Sequence, residues 1–221
     1  MKLFINALTK FTFGFLIVAT LIFLPAGTLH FSDGWVFLGL LFVPIFILGA
    51  VLLIKAPKLL KKRLENKEKE TVQKGVVALS ALIFLLGFVA AGLDFRFALS
   101  TVPHVLKIIA AVIFLLSYVL YAEVMRENAY LSRTVKVEEN QTLVSTGLYS
   151  FIRHPMYAAT VLMFLSIPLI LGSFVSFFIF IFYPAIIIVR IKNEEKVLSE
   201  QLIGYEEYKK RVKYRIVPFV W

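Results

Sequence analysis

Four long stretches with almost no charge restrict this chain more than anything else in it: Phe11–Leu29, Trp35–Ile54, Val76–Leu93 and Val105–Ala122. A longer apolar block, Met156–Val189, follows them. About 20 apolar residues carry a helix across a bilayer, and hydrocarbon offers no water to satisfy backbone N–H and C=O groups. Each of the four is therefore read as a transmembrane helix. The fifth block is interrupted midway by Pro168, Gly172 and Ser173, which predicts two helices joined by a tight turn. Each arm of about 16 residues reaches roughly 24 Å at 1.5 Å per residue, short of a hydrocarbon core of roughly 30 Å. The ends of this hairpin should therefore be drawn towards the membrane interface.

The fold class expected is all-α: a polytopic transmembrane bundle of about six spans, the last two forming the short hairpin. Beyond Val189, charged and apolar residues alternate at helical spacing to about Val212, with Val197, Leu198, Leu202 and Tyr205 on one side. That pattern predicts an amphipathic helix at the membrane surface, and the aromatic end at Phe219 and Trp221 suits the headgroup region. Lys2 and Lys10 ahead of the first apolar run resemble a secretion signal. The length of the run and the lack of a small-residue cleavage site favour a retained helix. Residues 1–127 are thus read as N-terminal membrane helices with a basic loop at 55–74 resembling an interface-lying helix, in which Glu65, Glu68 and Glu70 mix with lysine. Residues 128–221 are read as a second region, in which 134–144 reads as a small β-hairpin.

With a formal net charge of +10, the chain might suit nucleic acid. The distribution of the charge argues otherwise. Of 24 lysines and arginines, 22 fall before the first span, in 55–74, in 123–153 or in 190–221, leaving only Arg96 and Lys107 for the other face. Basic residues accumulate on cytoplasmic loops, so the split predicts both termini in the cytoplasm of a cell-membrane protein and no nucleic-acid partner. The absence of cysteine removes thiolate chemistry. His30, His104 and His154 are too scattered to make a metal centre.

Two polar clusters bracket the hairpin: Gly147-Leu-Tyr149-Ser-Phe-Ile-Arg153-His154-Pro155-Met-Tyr157 before it, and Arg190-Ile-Lys-Asn-Glu194-Glu195 after it. Antiparallel helices pack about 8–10 Å apart, so the two clusters should meet at the cytoplasmic interface. Pro155 suits the first position of a helix, whose exposed N–H groups favour an anion, and Arg153 adds a forked donor. Glu194 or Glu195 would complement an ammonium. A ligand carrying both charges, such as an amino-acid-like cofactor, fits this description. Each residue also has an ordinary reading: arginine as topology anchor, histidine as helix cap, the glutamates in surface pairs, Tyr149, Tyr157, Tyr205 and Tyr208 as interfacial belt.

The ordered combination of Gly147–Tyr157, an apolar hairpin, Glu194-Glu195 and Gly204-Tyr205-Glu206-Glu207-Tyr208 resembles the C-terminal half of the isoprenylcysteine carboxyl methyltransferase and phospholipid methyltransferase superfamily. The resemblance covers about 128–221. It implies an integral membrane enzyme that transfers a methyl group from S-adenosylmethionine to an oxygen or nitrogen of a lipophilic acceptor. It further implies that Tyr149, His154, Pro155, Tyr157 and position 159 border the cofactor, that Glu194 and Glu195 hold its polar end, and that Arg153, Arg190 and Glu194 organise the reacting groups. Where the family commonly has glycine two residues after the motif tyrosine, this chain has Ala159. The alternatives are an NADPH-dependent membrane reductase, since some sterol reductases resemble this superfamily, and a small transporter. The nearly charge-free spans argue against the transporter.

Overall fold

The computed structural model describes residues 2–64, 71–128, 130–131, 137 and 141–221. Nine α-helices fall among them: α1 (Lys2–Ala26), α2 (Ser32–Lys55), α3 (Pro57–Leu64), α4 (Thr71–Phe97), α5 (His104–Glu127), α6 (Pro155–Ile170), α7 (Phe174–Phe180), α8 (Tyr183–Gln201) and α9 (Tyr205–Arg211). Five segments are long and apolar enough to cross a membrane: Leu3–Ala26, Ser32–Lys55, Val72–Phe97, His104–Glu127 and Phe174–Gln201; α6 is a shorter apolar helix. Side chains such as Phe13, Ile54 and Leu116 point outward from the bundle, as expected where lipid replaces water as the surrounding solvent.

Aromatic packing holds the interior. Phe37, Phe114 and Phe180 are fully buried, and Phe84 meets Phe164, Phe180 and Tyr183 in one cluster of rings. Helix α5 runs along α6, while α4 contacts α1, α7 and α8. At the end of the bundle away from the two motif clusters, Asp94 is 1% exposed. It accepts hydrogen bonds from the Ser100 N–H (2.7 Å), the Ser100 hydroxyl (2.5 Å) and the Ser173 hydroxyl (2.5 Å). This network ties the end of α4 to the hairpin turn, so a carboxylate inside the bundle is satisfied by three donors.

The hairpin forms as expected, with α6 starting at Pro155 and turning at 171–173, but its second arm departs from the expectation. It breaks between α7 and α8, with Pro184 placed in the first turn of α8, because a proline cannot donate into the preceding turn. Helix α8 then continues straight through the second polar cluster to Gln201. No single amphipathic helix reaches Val212. Gly204 adopts φ +82°, a left-handed conformation open to glycine, and a separate short helix, α9, follows. Within the basic stretch 55–74 the helix is α3, with Leu59 and Leu60 buried. Glu65, Glu68 and Glu70, and residues 134–136 and 138–140 of the expected β-hairpin, lie outside the described residues.

Candidate active site

The wall of the site begins where α5 ends. The Glu127 carboxylate accepts the Leu148 N–H at 3.0 Å and so caps the 3-10 turn Gly147–Ser150. Gly147 has φ +55°, and a β-carbon there would lie 1.7 Å from Glu127 Oε1; the turn needs glycine for both backbone angle and space. This turn delivers Tyr149, whose hydroxyl accepts from Asn128 (3.0 Å) and whose carbonyl accepts from the Tyr208 hydroxyl (2.7 Å). Burial pushes the Tyr149 phenol up to about 12, so it stays protonated.

Arg153 and His154 follow, both buried. Their backbone N–H groups donate to the carbonyls of Tyr214 (2.9 Å) and Arg215 (2.8 Å) in the C-terminal segment. The Arg153 guanidinium donates through Nε to Glu195 Oε1 at 2.7 Å and through Nη1 to the carbonyls of Val212 (2.7 Å) and Lys213 (2.9 Å). His154 Nε2 lies 3.2 Å from the same Glu195 oxygen, and Arg215 Nε donates to Glu195 Oε2 at 2.9 Å. Glu195 is therefore the hub of an internal network that fixes the entry to α6 against α8 and the C-terminal segment.

Its neighbour Glu194 is placed differently. The Tyr157 hydroxyl donates to Glu194 Oε2 at 2.5 Å and accepts from Arg190 Nε at 2.8 Å, so one phenol links the two charged residues of α8. Among the described residues no basic nitrogen stands at ion-pairing distance from Glu194. A cavity of about 100 Å³ opens here. Its walls include Tyr149, Arg153, His154, Pro155, Tyr157, Arg190 and Glu194.

Seven of the nine residues expected at the site thus border one cavity. The other two do not: Glu195 is turned into the Arg153–His154–Arg215 network, and Ala159 is fully buried within α6. Several lining residues were not singled out from the sequence, among them Asn128, Gln141–Val144, Leu198 and Leu202. Leu198 and Leu202 were assigned only to an apolar helix face, and Thr142–Val144 only to a strand. Arg63 of α3 reaches the edge of this region, with Nη1 3.9 Å from Met156 Sδ and its guanidinium over the Tyr121 ring.

The stretch that supplies most of these residues also matches a known family. Residues 95–200 match the isoprenylcysteine carboxyl methyltransferase (ICMT) family. The match takes in α5, the capped turn, the hairpin and both glutamates, so the cavity is walled largely by ICMT-type sequence. Other proteins are similar to part of the chain. The Delta(14)-sterol reductase TM7SF2 of Mus musculus is 30% identical over 91 residues, 40% of this chain and 22% of that protein. The uncharacterized protein YpbQ of Bacillus subtilis (strain 168) is 36% identical over 93 residues, 42% of this chain and 55% of that protein. The shared part thus spans about half of YpbQ and about a fifth of TM7SF2.

Proposed function

We propose that this protein is an S-adenosylmethionine-dependent membrane methyltransferase that methylates an oxygen or nitrogen of a lipophilic acceptor at the cytoplasmic face. One observation carries the reading: Glu194, a carboxylate with no ion-pair partner among the described residues, borders a cavity in ICMT-type sequence, while the adjacent Glu195 is held by Arg153, His154 and Arg215. An unneutralised acid in a confined site favours a cation, and the cofactor brings an ammonium and a sulfonium. The residues present fit it. Glu194 would take the ammonium, Arg153 on the same wall would face a carboxylate, and the face of Tyr149 offers cation–π attraction to a positive centre.

When bound, S-adenosylmethionine supplies an electrophilic methyl group. The chain's own contribution is orientation and exclusion of water. Glu195 holds Arg153 and His154 against the C-terminal segment, and Tyr157 holds Glu194 against Arg190. The short α6 brings this apparatus to the membrane boundary, where a water-soluble cofactor and a lipid-soluble acceptor meet. The charge distribution supports a cytoplasmic location for it, with six crossings counting α6.

Incubating membranes that contain the protein with S-adenosylmethionine labelled in the methyl group tests the reading: label should enter the lipid-extractable fraction, and less of it with Glu194→Gln. The partial identity to TM7SF2 supports a second reading, a reductase using NADPH. Stabilisation of the protein by NADPH together with no transfer of label would favour that one.

A further inference from the structure

Three buried side-chain atoms among the described residues have no hydrogen-bond partner: Gln73 Oε1, Asn193 Nδ2 and Tyr205 Oη. Gln73 lies on the contact between α4 and α8, where its amide nitrogen donates to the Arg190 carbonyl, and neither it nor Asn193 borders the cavity. Tyr205 does, and it is 3% exposed. Buried polar groups are nearly always paired, and each exception calls for a reason. Tyr208, whose ring packs against that of Tyr205, gives the contrast: its hydroxyl is consumed within the fold by the Tyr149 carbonyl. Tyr205 is thus a residue of the cavity wall whose buried hydroxyl the fold leaves unused, beyond the 95–200 stretch that matches the ICMT family.

We propose that Tyr205 is a cofactor-binding residue whose hydroxyl hydrogen-bonds the amino-acid end of S-adenosylmethionine beside Glu194. The proposal rests on the reading of the cavity as that cofactor's site. Burial, followed by the negative charges of Glu195 and Glu194, raises the Tyr205 phenol, so it remains a neutral hydroxyl. Such a group can accept from an ammonium and donate to a carboxylate, the two functions an amino-acid end presents. Glu194 borders the same cavity and draws the ammonium to this side, and the Gly204 turn sets Tyr205 against it.

Calorimetric titration of the purified wild type, Tyr205→Phe and Tyr208→Phe with S-adenosylhomocysteine and with 5′-methylthioadenosine, which lacks the amino-acid end, tests this. Each protein is also melted without ligand. The expected result is that Tyr205→Phe binds S-adenosylhomocysteine about tenfold more weakly, binds methylthioadenosine like the wild type, and melts no lower than the wild type. Tyr208→Phe should melt lower. Wild-type affinity for S-adenosylhomocysteine in Tyr205→Phe overturns the proposal, as does an equal loss for both ligands, which would move the contact to the nucleoside. A lower ligand-free melt of Tyr205→Phe would also overturn it, by revealing a partner within the fold. If the wild type binds neither ligand, the cofactor reading of the cavity itself fails.

Discussion

Adjacent glutamates on one helix should respond very unequally to the same substitution. Glu195→Gln keeps the side chain's size and removes its charge. The Glu195 side chain is 6% exposed and that of Arg153 4%, so the variant leaves a guanidinium buried without its counter-charge. Breaking one side of a buried ion pair costs about 3–5 kcal/mol. Arg153 keeps the Val212 and Lys213 carbonyls, and the Arg215 side chain is 28% exposed and can turn to water. The lower end, about 3 kcal/mol, is therefore expected. At roughly 2–4 °C per kcal/mol for a chain of this size, the melt should fall by about 6–12 °C. Glu194→Gln keeps an acceptor for the Tyr157 hydroxyl and loses only the strengthening that the charge gives that bond, about 1 kcal/mol, so its melt should shift by no more than about 4 °C. Intrinsic fluorescence in detergent reads both, because Trp221 lies over the Arg215 guanidinium at 4.9 Å and should report release of the network. A Glu195→Gln protein that melts with the wild type while Glu194→Gln melts far below it would refute the division of labour between hub and cavity wall.

Other substitutions probe the supports of the cavity and the far end of the bundle. Gly147→Ala forces a β-carbon onto Glu127 Oε1 at a left-handed backbone position; the loss of the cap and the strain together should cost about 2 kcal/mol, and shortening Glu127 to alanine in the same protein should restore part of it, by thermal melt. Tyr157→Phe removes the phenol that links Arg190 to Glu194 and should weaken S-adenosylhomocysteine binding about tenfold in calorimetry. Asp94→Ala orphans the donors of Ser100 and Ser173; it should lower the melt by about 3 kcal/mol of stability yet leave ligand affinity unchanged, because the network lies at the opposite end from the cavity.

The membrane helices were legible because long apolar runs have few other solutions in lipid, and the start of α6 because proline at its first position is a local signal. Two other boundaries were misread. The break at Pro184 lay inside an unbroken apolar run, where hydropathy carries no mark of a kink, and the helix expected to reach about Val212 stops at Gln201, ahead of the left-handed Gly204. The site was half visible. Sequence order brought Arg153, His154, Tyr157, Arg190 and Glu194 to one place, but successive residues on a helix point about 100° apart, and nothing local says which of two adjacent glutamates faces a cavity. That is decided by Arg215, twenty residues further on, and by the backbone of the C-terminal segment. Likewise the wall at Gln141–Val144 comes from a connection whose path depends on what it packs against.

The central claim is that Glu194 makes this cavity a site for a cationic, amino-acid-bearing cofactor. Titrating the purified protein with S-adenosylhomocysteine by calorimetry tests it most directly, with NADPH as the comparison ligand. The account predicts saturable binding of S-adenosylhomocysteine by the wild type, at least tenfold weaker binding by a folded Glu194→Gln protein, and no saturable binding of NADPH. Saturable binding of NADPH without any binding of S-adenosylhomocysteine, or undiminished affinity in Glu194→Gln, would contradict it.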